Sequence, residues 1–244
     1  MIDIELKEKS PLGNYKLLLS PVFLLIIFGT NFRDKEKFVV YVTEPPQLTF
    51  HWKDGNGQIF RSIGNLKRFT ESKGKKLVFA MNGGMYRGDH SPQGLFIENS
   101  IELSPLDSLS GAGNFYMKPN GIFYITRTGT AIVSATDDFK NNGEIKFATQ
   151  SGPMLLIDGQ IHPAFKEGST SLNIRNGVGI LPDNRVVFAI SKQEVNFHDF
   201  AMFFKRLNCK NALYLDGFVS RAYIPGENWK QLDGDFGVII AVLR

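Results

Sequence analysis

The chain has 244 residues, 43% hydrophobic and 21% charged, the balance of a soluble globular protein rather than a disordered or fibrous one. Its formal charge of +4 is spread along the sequence without basic blocks. That gives no footing for a nucleic-acid binder and suits an anionic small substrate or an anionic envelope surface. The one cysteine, Cys209, excludes an intrachain disulfide, and its place between a helical run and a strand marks it as a packed thiol.

The run KLLLSPVFLLIIFGT at 16–30 has the length of an export-signal core and falls short of the roughly 20 residues a membrane-spanning helix needs. Pro21 also interrupts it. We read residues 1–37 as an export signal or marginal membrane anchor ending in a hydrophilic junction, NFRDKEK at 31–37. This predicts an extracytoplasmic protein, periplasmic or envelope-attached, with membrane association through residues 16–30. The folded domain is expected over residues 38–244.

From there the pattern is hairpins. KFVVYV and QLTFHW are strand-like, and KDGNG at 53–57 supplies a turn. IGNLKRFTESKG sets Ile63, Leu66 and Phe69 at helical spacing with Gly74 as the cap. KLVFAMN returns to strand, and GIFYITRTGTAIV reads as two strands about Gly129. PMLLIDGQIHPAF turns at Asp158-Gly159, and VGILPDNRVVFAIS turns at Asp183-Asn184. NFHDFAMFFKRLNC carries an apolar stripe of Phe197, Phe200, Ala201, Phe204 and Leu207 behind an Asn196 N-cap. Strands dominate without regular alternation with helices. The expected fold is therefore α+β: a mixed, hairpin-rich β-sheet core with a few packed helices, in a single domain.

Several strands end in polar residues beside glycine. LVFAMNGGMY ends at Asn82, Gly83 and Gly84; IKFATQSGP at Gln150 and Ser151; ALYLDGFVS at Asp216 and Gly217, with Ser220 and Arg221 beyond. GNFYMKPNGIF adds Lys118 and Asn120. Amide, hydroxyl, carboxylate and ammonium groups on glycine-bearing loops suit a polyhydroxylated ligand in a shared pocket. Asp-Gly is equally a common turn dipeptide, so Asp216 alone does not decide the matter. No phosphate loop, dinucleotide fingerprint, zinc-protease motif or nucleophile elbow occurs. His51, His90, His162 and His198 lack ligand spacing, so no metal site is assigned and no cofactor is required, though Asp89, Asp199 and Asp216 are compatible with a divalent cation. His198 and Asp199 open a helix and read as a capping pair. Ser220 has no evident base, which argues against a serine nucleophile.

The blocks FAMNGGMY, PQGLFIENS, GNFYMKPNGIFYI, ATQSGPMLLIDGQIHPAF, IRNGVGI, VNFHDFAMFF and NALYLDGFVSRAY together resemble bacterial members of the phosphodiester glycosidase family, the domain of the lysosomal uncovering enzyme. The resemblance runs in order from about Phe38 onward. One departure stands out: the glycine-rich run after the family's aspartate is here DGFVS, with Phe218 and Val219.

The resemblance implies hydrolysis of a sugar-1-phosphodiester of the N-acetylglucosamine type, giving free sugar and a phosphomonoester. On that reading Asp216 is the base or nucleophile at the anomeric carbon, and Arg175, with Lys118 and Arg221, holds the phosphate. Asn82, Gly83, Gly84, Asn120, Gln150, Ser151 and Gly217 line the sugar site, and Ser220 orients Asp216. The partner is a small-molecule or glycan phosphodiester. Two other readings remain open from sequence: a cation-dependent envelope phosphodiesterase cutting P–O, and a non-catalytic envelope carbohydrate-binding protein.

Overall fold

Residues 32–244 are described in a computed structural model; the apolar run at 16–30, with the export and membrane expectations attached to it, lies outside the described residues. The segment read as a junction forms helix α1 (Phe32–Lys37), tied down where the Arg206 guanidinium meets buried Asp34 at 2.5 and 3.0 Å.

Strand β1 (Phe38–Thr43), β2 (Leu48–His51), helix α2 (Ile63–Ser72) and β3 (Leu77–Asn82) follow. Then come β4 (Phe96–Glu98), β5 (Ile101–Ser104), β6 (Gly121–Thr126), β7 (Ala131–Ala135) and β8 (Ile145–Ser151). The next strands are β9 (Met154–Ile157), β10 (Gln160–Ile161), β11 (Asn176–Ile180) and β12 (Val186–Ser191). Helix α3 (Phe197–Arg206) leads to β13 (Ala212–Tyr214), β14 (Ala222–Ile224), β15 (Trp229–Lys230) and β16 (Ile239–Leu243).

They build three sheets, ordered β1-β12-β11-β13-β9-β10, β15-β14-β3-β16-β2 and β5-β4-β8-β6-β7. The fold is α+β and rich in hairpins, as the sequence implies, and the ladders among the described residues are antiparallel. The turns at Asp158-Gly159, Asp183-Asn184 and Gly129 join β9–β10, β11–β12 and β6–β7. Asp158 and Gly159 both take positive φ, the geometry a two-residue hairpin requires. KFVVYV and QLTFHW are not hairpin partners: β1 pairs with β12 and β2 with β16, so the two lie in different sheets.

The inner faces of all three sheets meet in one core that includes Val39, Phe50, Phe79, Phe123, Phe147, Phe188, Leu213 and Ile240. Helix α3 covers the other face of the first sheet, burying Phe200, Phe203 and Phe204 against Leu156, Val187 and Tyr214. Its N-cap is Asn196, whose side chain accepts from the Asp199 N–H at 2.8 Å. Helix α2 covers the second sheet with Ile63 and Leu66 against Leu77, Ala80 and Ile239. Each buried phenyl contributes about 1.5–3 kcal/mol, so these faces account for much of the stability. Because β13 lies between β11 and β9 with both faces covered, it is apolar throughout and its first polar position is Asp216, where it leaves the sheet.

Candidate active site around Asp216

Asn176, at the start of β11, organises the end of β13. Its side-chain oxygen accepts from the Asp216 N–H at 2.9 Å, and its Nδ2 donates to Asn82 Oδ1 at 2.9 Å and to the Asn82 carbonyl at 3.0 Å. Asn82 Oδ1 also accepts from the Arg221 N–H at 2.9 Å. The pair of amides thus joins β3, β11, the exit of β13 and the entry to β14. The Ser151 hydroxyl donates to the Leu215 carbonyl, and the Ser220 hydroxyl to the Asp216 carbonyl at 2.5 Å. The Ser220 N–H closes the turn on the Gly217 carbonyl at 3.0 Å.

The main chain of Asp216 is therefore clamped on both sides, and the residue is only partly buried where β13 ends. Burial pushes that carboxyl up to about 7, and the Gly217 backbone N–H pulls the other way. Its charge raises two phenols, Tyr86 and Tyr214, beyond what their own burial does. Gly217 is required: a Cβ there would lie 1.8 Å from the Tyr214 hydroxyl.

Beyond Tyr214 lies Arg175, buried to 1% exposure. Its Nε donates to the Val195 carbonyl at 2.8 Å and its Nη2 to the Ser171 carbonyl at 3.0 Å, with the guanidinium 3.6 Å above the Phe197 ring. Nη1 has no hydrogen-bond partner, and neither has Nδ2 of Asn82. The two buried donors belong to different surroundings: Arg175 packs towards Phe197 and Val195, whereas Asn82 meets Asn176.

The sequence matches the family model for phosphodiester glycosidases over residues 75–237, a span that contains both asparagines, Arg175, Asp216 and the turn after it. The chain belongs to the phosphodiester glycosidase family. It is a glycosidase-type hydrolase of phosphodiesters. It is 39% identical over 214 residues to the uncharacterized protein YigE of Escherichia coli strain K12, covering 86% of this chain and 84% of that one. Its fold is similar to the zebrafish N-acetylglucosamine-1-phosphodiester α-N-acetylglucosaminidase catalytic domain auto-inhibited by its pro-peptide, with a TM-score of 0.58, 15% identity, and coverage of 84% and 82% of the two chains. A hypothetical protein from Synechocystis matches with a TM-score of 0.53 at 11% identity, over 84% of this chain and 59% of that one.

Within this phosphodiester glycosidase, the polar residues expected to bind sugar divide sharply. Gln150 is a structural cross-link: Oε1 accepts from the Leu95 and Asp107 N–H groups at 2.9 and 3.0 Å, and Nε2 donates to the Asp107 carbonyl at 2.7 Å and the Thr136 hydroxyl at 3.3 Å. Nothing of its side chain is left for a ligand. Asn120 spends its amide on the Phe115 carbonyl at 2.9 Å, and Ser151 is fully buried on Leu215. Gly83 and Gly84 are glycine for internal reasons: added Cβ atoms would meet Val238 at 2.7 Å and the Gln150 carbonyl at 2.3 Å. Ser220 holds the Asp216 main chain and not its carboxylate.

The cations are likewise engaged. Lys118 is exposed and donates to the Ser108 carbonyl at 3.1 Å. Arg221 pairs through Nε with Asp233 at 2.8 Å and through Nη1 with the Ser220 carbonyl at 2.9 Å. Arg175 anchors the segments around Ser171 and Val195, with only Nη1 in reserve. Asp89 accepts from Ser91 within its own turn. Among the described residues no three His, Cys, Asp or Glu side chains come together as metal ligands. No helix of those residues is long and apolar enough to cross a membrane.

One group went unread in the sequence. The Tyr86 hydroxyl donates to the Asp235 carbonyl at 2.5 Å, and the His90 ring stacks on Tyr86 at 5.4 Å. His90 Nε2 and Arg61 Nε both meet Asp235 Oδ1, at 2.9 and 2.7 Å. Arg61 and His90 both hold positive φ, a strained backbone that tends to concentrate at functional sites. Their separation in sequence leaves no local signal for the cluster.

Proposed function

We propose that this enzyme hydrolyses an N-acetylglucosamine-like sugar-1-phosphodiester at the C1–O bond, placing the water oxygen on the sugar and leaving both ester oxygens on the phosphomonoester. The observation that carries the reading is the Asp216 carboxyl: its main chain is fixed by Asn176 and Ser220 at the end of β13, and burial raises it to about 7. Such a group is ionised often enough near neutrality to attack the anomeric carbon or take a proton from water. A phosphodiester leaves without a strong acid, so the site needs donors for the departing oxygens more than a second carboxyl. Nη1 of Arg175 is proposed for that role, with charge from Lys118 and Arg221, and Nδ2 of Asn82 for a sugar hydroxyl. The sugar class is supported by the name of the zebrafish relative. Extracytoplasmic action is proposed on the apolar run at 16–30 alone.

The test is incubation of the full chain with the methyl diester of N-acetylglucosamine-1-phosphate in 18O-water, beside Asp216→Asn. Free sugar, unlabelled methyl phosphate and an inert variant are expected. Label in the phosphate would mean P–O cleavage and overturn the proposal, as would full activity in the variant.

A further inference from the structure

The turn after Asp216 carries one side chain that the fold does not use. Phe218 is 94% exposed, although Ser220 beside it is 1% exposed and Val219 packs into the cluster of Phe60, Ile63 and Phe236. The turn is not loose: Ser220 closes it through the Gly217 and Asp216 carbonyls, and Gly217 is seated against the Tyr214 hydroxyl. A phenyl ring is thus held out into solvent on a fixed base. Two residues span at most about 7 Å, which keeps it within reach of anything bound at the Asp216 carboxyl.

We propose that Phe218 is the stacking platform for the substrate's pyranose ring, a specificity-determining contact at the lip of the site. The inference rests on the sugar-phosphodiester reading above. An isolated aromatic face does not make the continuous trough that a lipid chain would need. It does match a pyranose, which offers an apolar C–H face to the ring while its hydroxyl edge stays free for polar groups. Covering the phenyl face on binding gives the exposed ring its compensating burial.

Two variants in the full chain test this. Phe218→Ala is expected to leave the melting temperature unchanged, because nothing packs on the ring, while KM for the methyl diester rises about tenfold and kcat changes little. Phe218→Trp restores the parent KM, and its added emission shifts on titration with N-acetylglucosamine-1-phosphate, read against the parent background from Trp52 and Trp229. An unchanged KM in Phe218→Ala, or no emission response in Phe218→Trp, overturns the platform. A parent enzyme that does not cleave the diester overturns the functional reading instead; the titration, which needs no turnover, then decides Phe218.

Discussion

Asn176 and Asn82, 94 residues apart, meet side chain to side chain with Nδ2 of the first donating to both oxygens of the second. Through the other end of Asn176 the contact reaches the Asp216 N–H, so one amide sets the position of the Asp216 main chain relative to β3.

Asn176→Ala leaves the Asp216 N–H and the Asn82 oxygens short of partners in a buried place. A loss of about 2–6 kcal/mol is expected, from roughly 1–3 kcal/mol for each of two groups left unsatisfied. Urea unfolding measures it. A midpoint equal to that of the parent would show that the junction does not depend on this amide.

The rate should follow the ionisation of Asp216. Below about 7 its carboxyl is protonated and cannot attack or accept a proton, so kcat is expected to fall tenfold per pH step well below that value and to level off above it. A pH–rate series from 4 to 9 reads this directly. A flat profile across 5 to 8 would remove Asp216 as base or nucleophile.

Stability should move in the opposite sense. The folded carboxyl holds its proton to about 7, whereas the unfolded chain releases it near the ordinary 3.8, so the fold binds the extra proton in between. Its contribution is complete below the unfolded value and is lost as pH rises through 7, at a cost of up to about 4 kcal/mol. Glu98, raised by burial to about 7, acts with the same sign. Asp216→Asn should therefore melt higher than the parent at pH 8 and converge with it near pH 4. Melting curves that stay parallel across that range would contradict the burial of this charge.

Gly217→Ala drives a methyl into the Tyr214 hydroxyl, 1.8 Å away, with Cζ next at 3.0 Å. The single change should cost about 1–3 kcal/mol as overpacking. Tyr214→Phe in the same chain removes the nearest atom and should return part of the loss. Double-mutant unfolding tests the coupling; additive effects would place the strain elsewhere.

What the sequence reveals is what local chemistry determines. The stripe on α3, its Asn196 cap and the Asp158-Gly159 turn are each decided within a few residues, and each forms as read. The carboxylate at the end of β13 was visible because a doubly covered strand admits its first polar group only on leaving the sheet. Gln150, Asn120 and Ser151 misled for a physical reason. A polar side chain after an apolar strand looks the same whether it faces a ligand or satisfies distant backbone, and the Asp107, Phe115 and Leu215 carbonyls that occupy these three are set by the fold. The Tyr86, His90, Arg61 and Asp235 group was hidden for the same cause: its two ends lie 174 residues apart.

Strand β16 comes after every other described element in the chain, yet it lies in the interior of its sheet, between β3 and β2, with Ile239 opposite Asn82. Without residues 239–243, β2 and β3 have no strand to join them, and Asn82 keeps only its β14 side. The five residues that hold the asparagine junction on that flank thus include none of the proposed catalytic groups, and removing them would be expected to disturb the junction while leaving every such group in the chain.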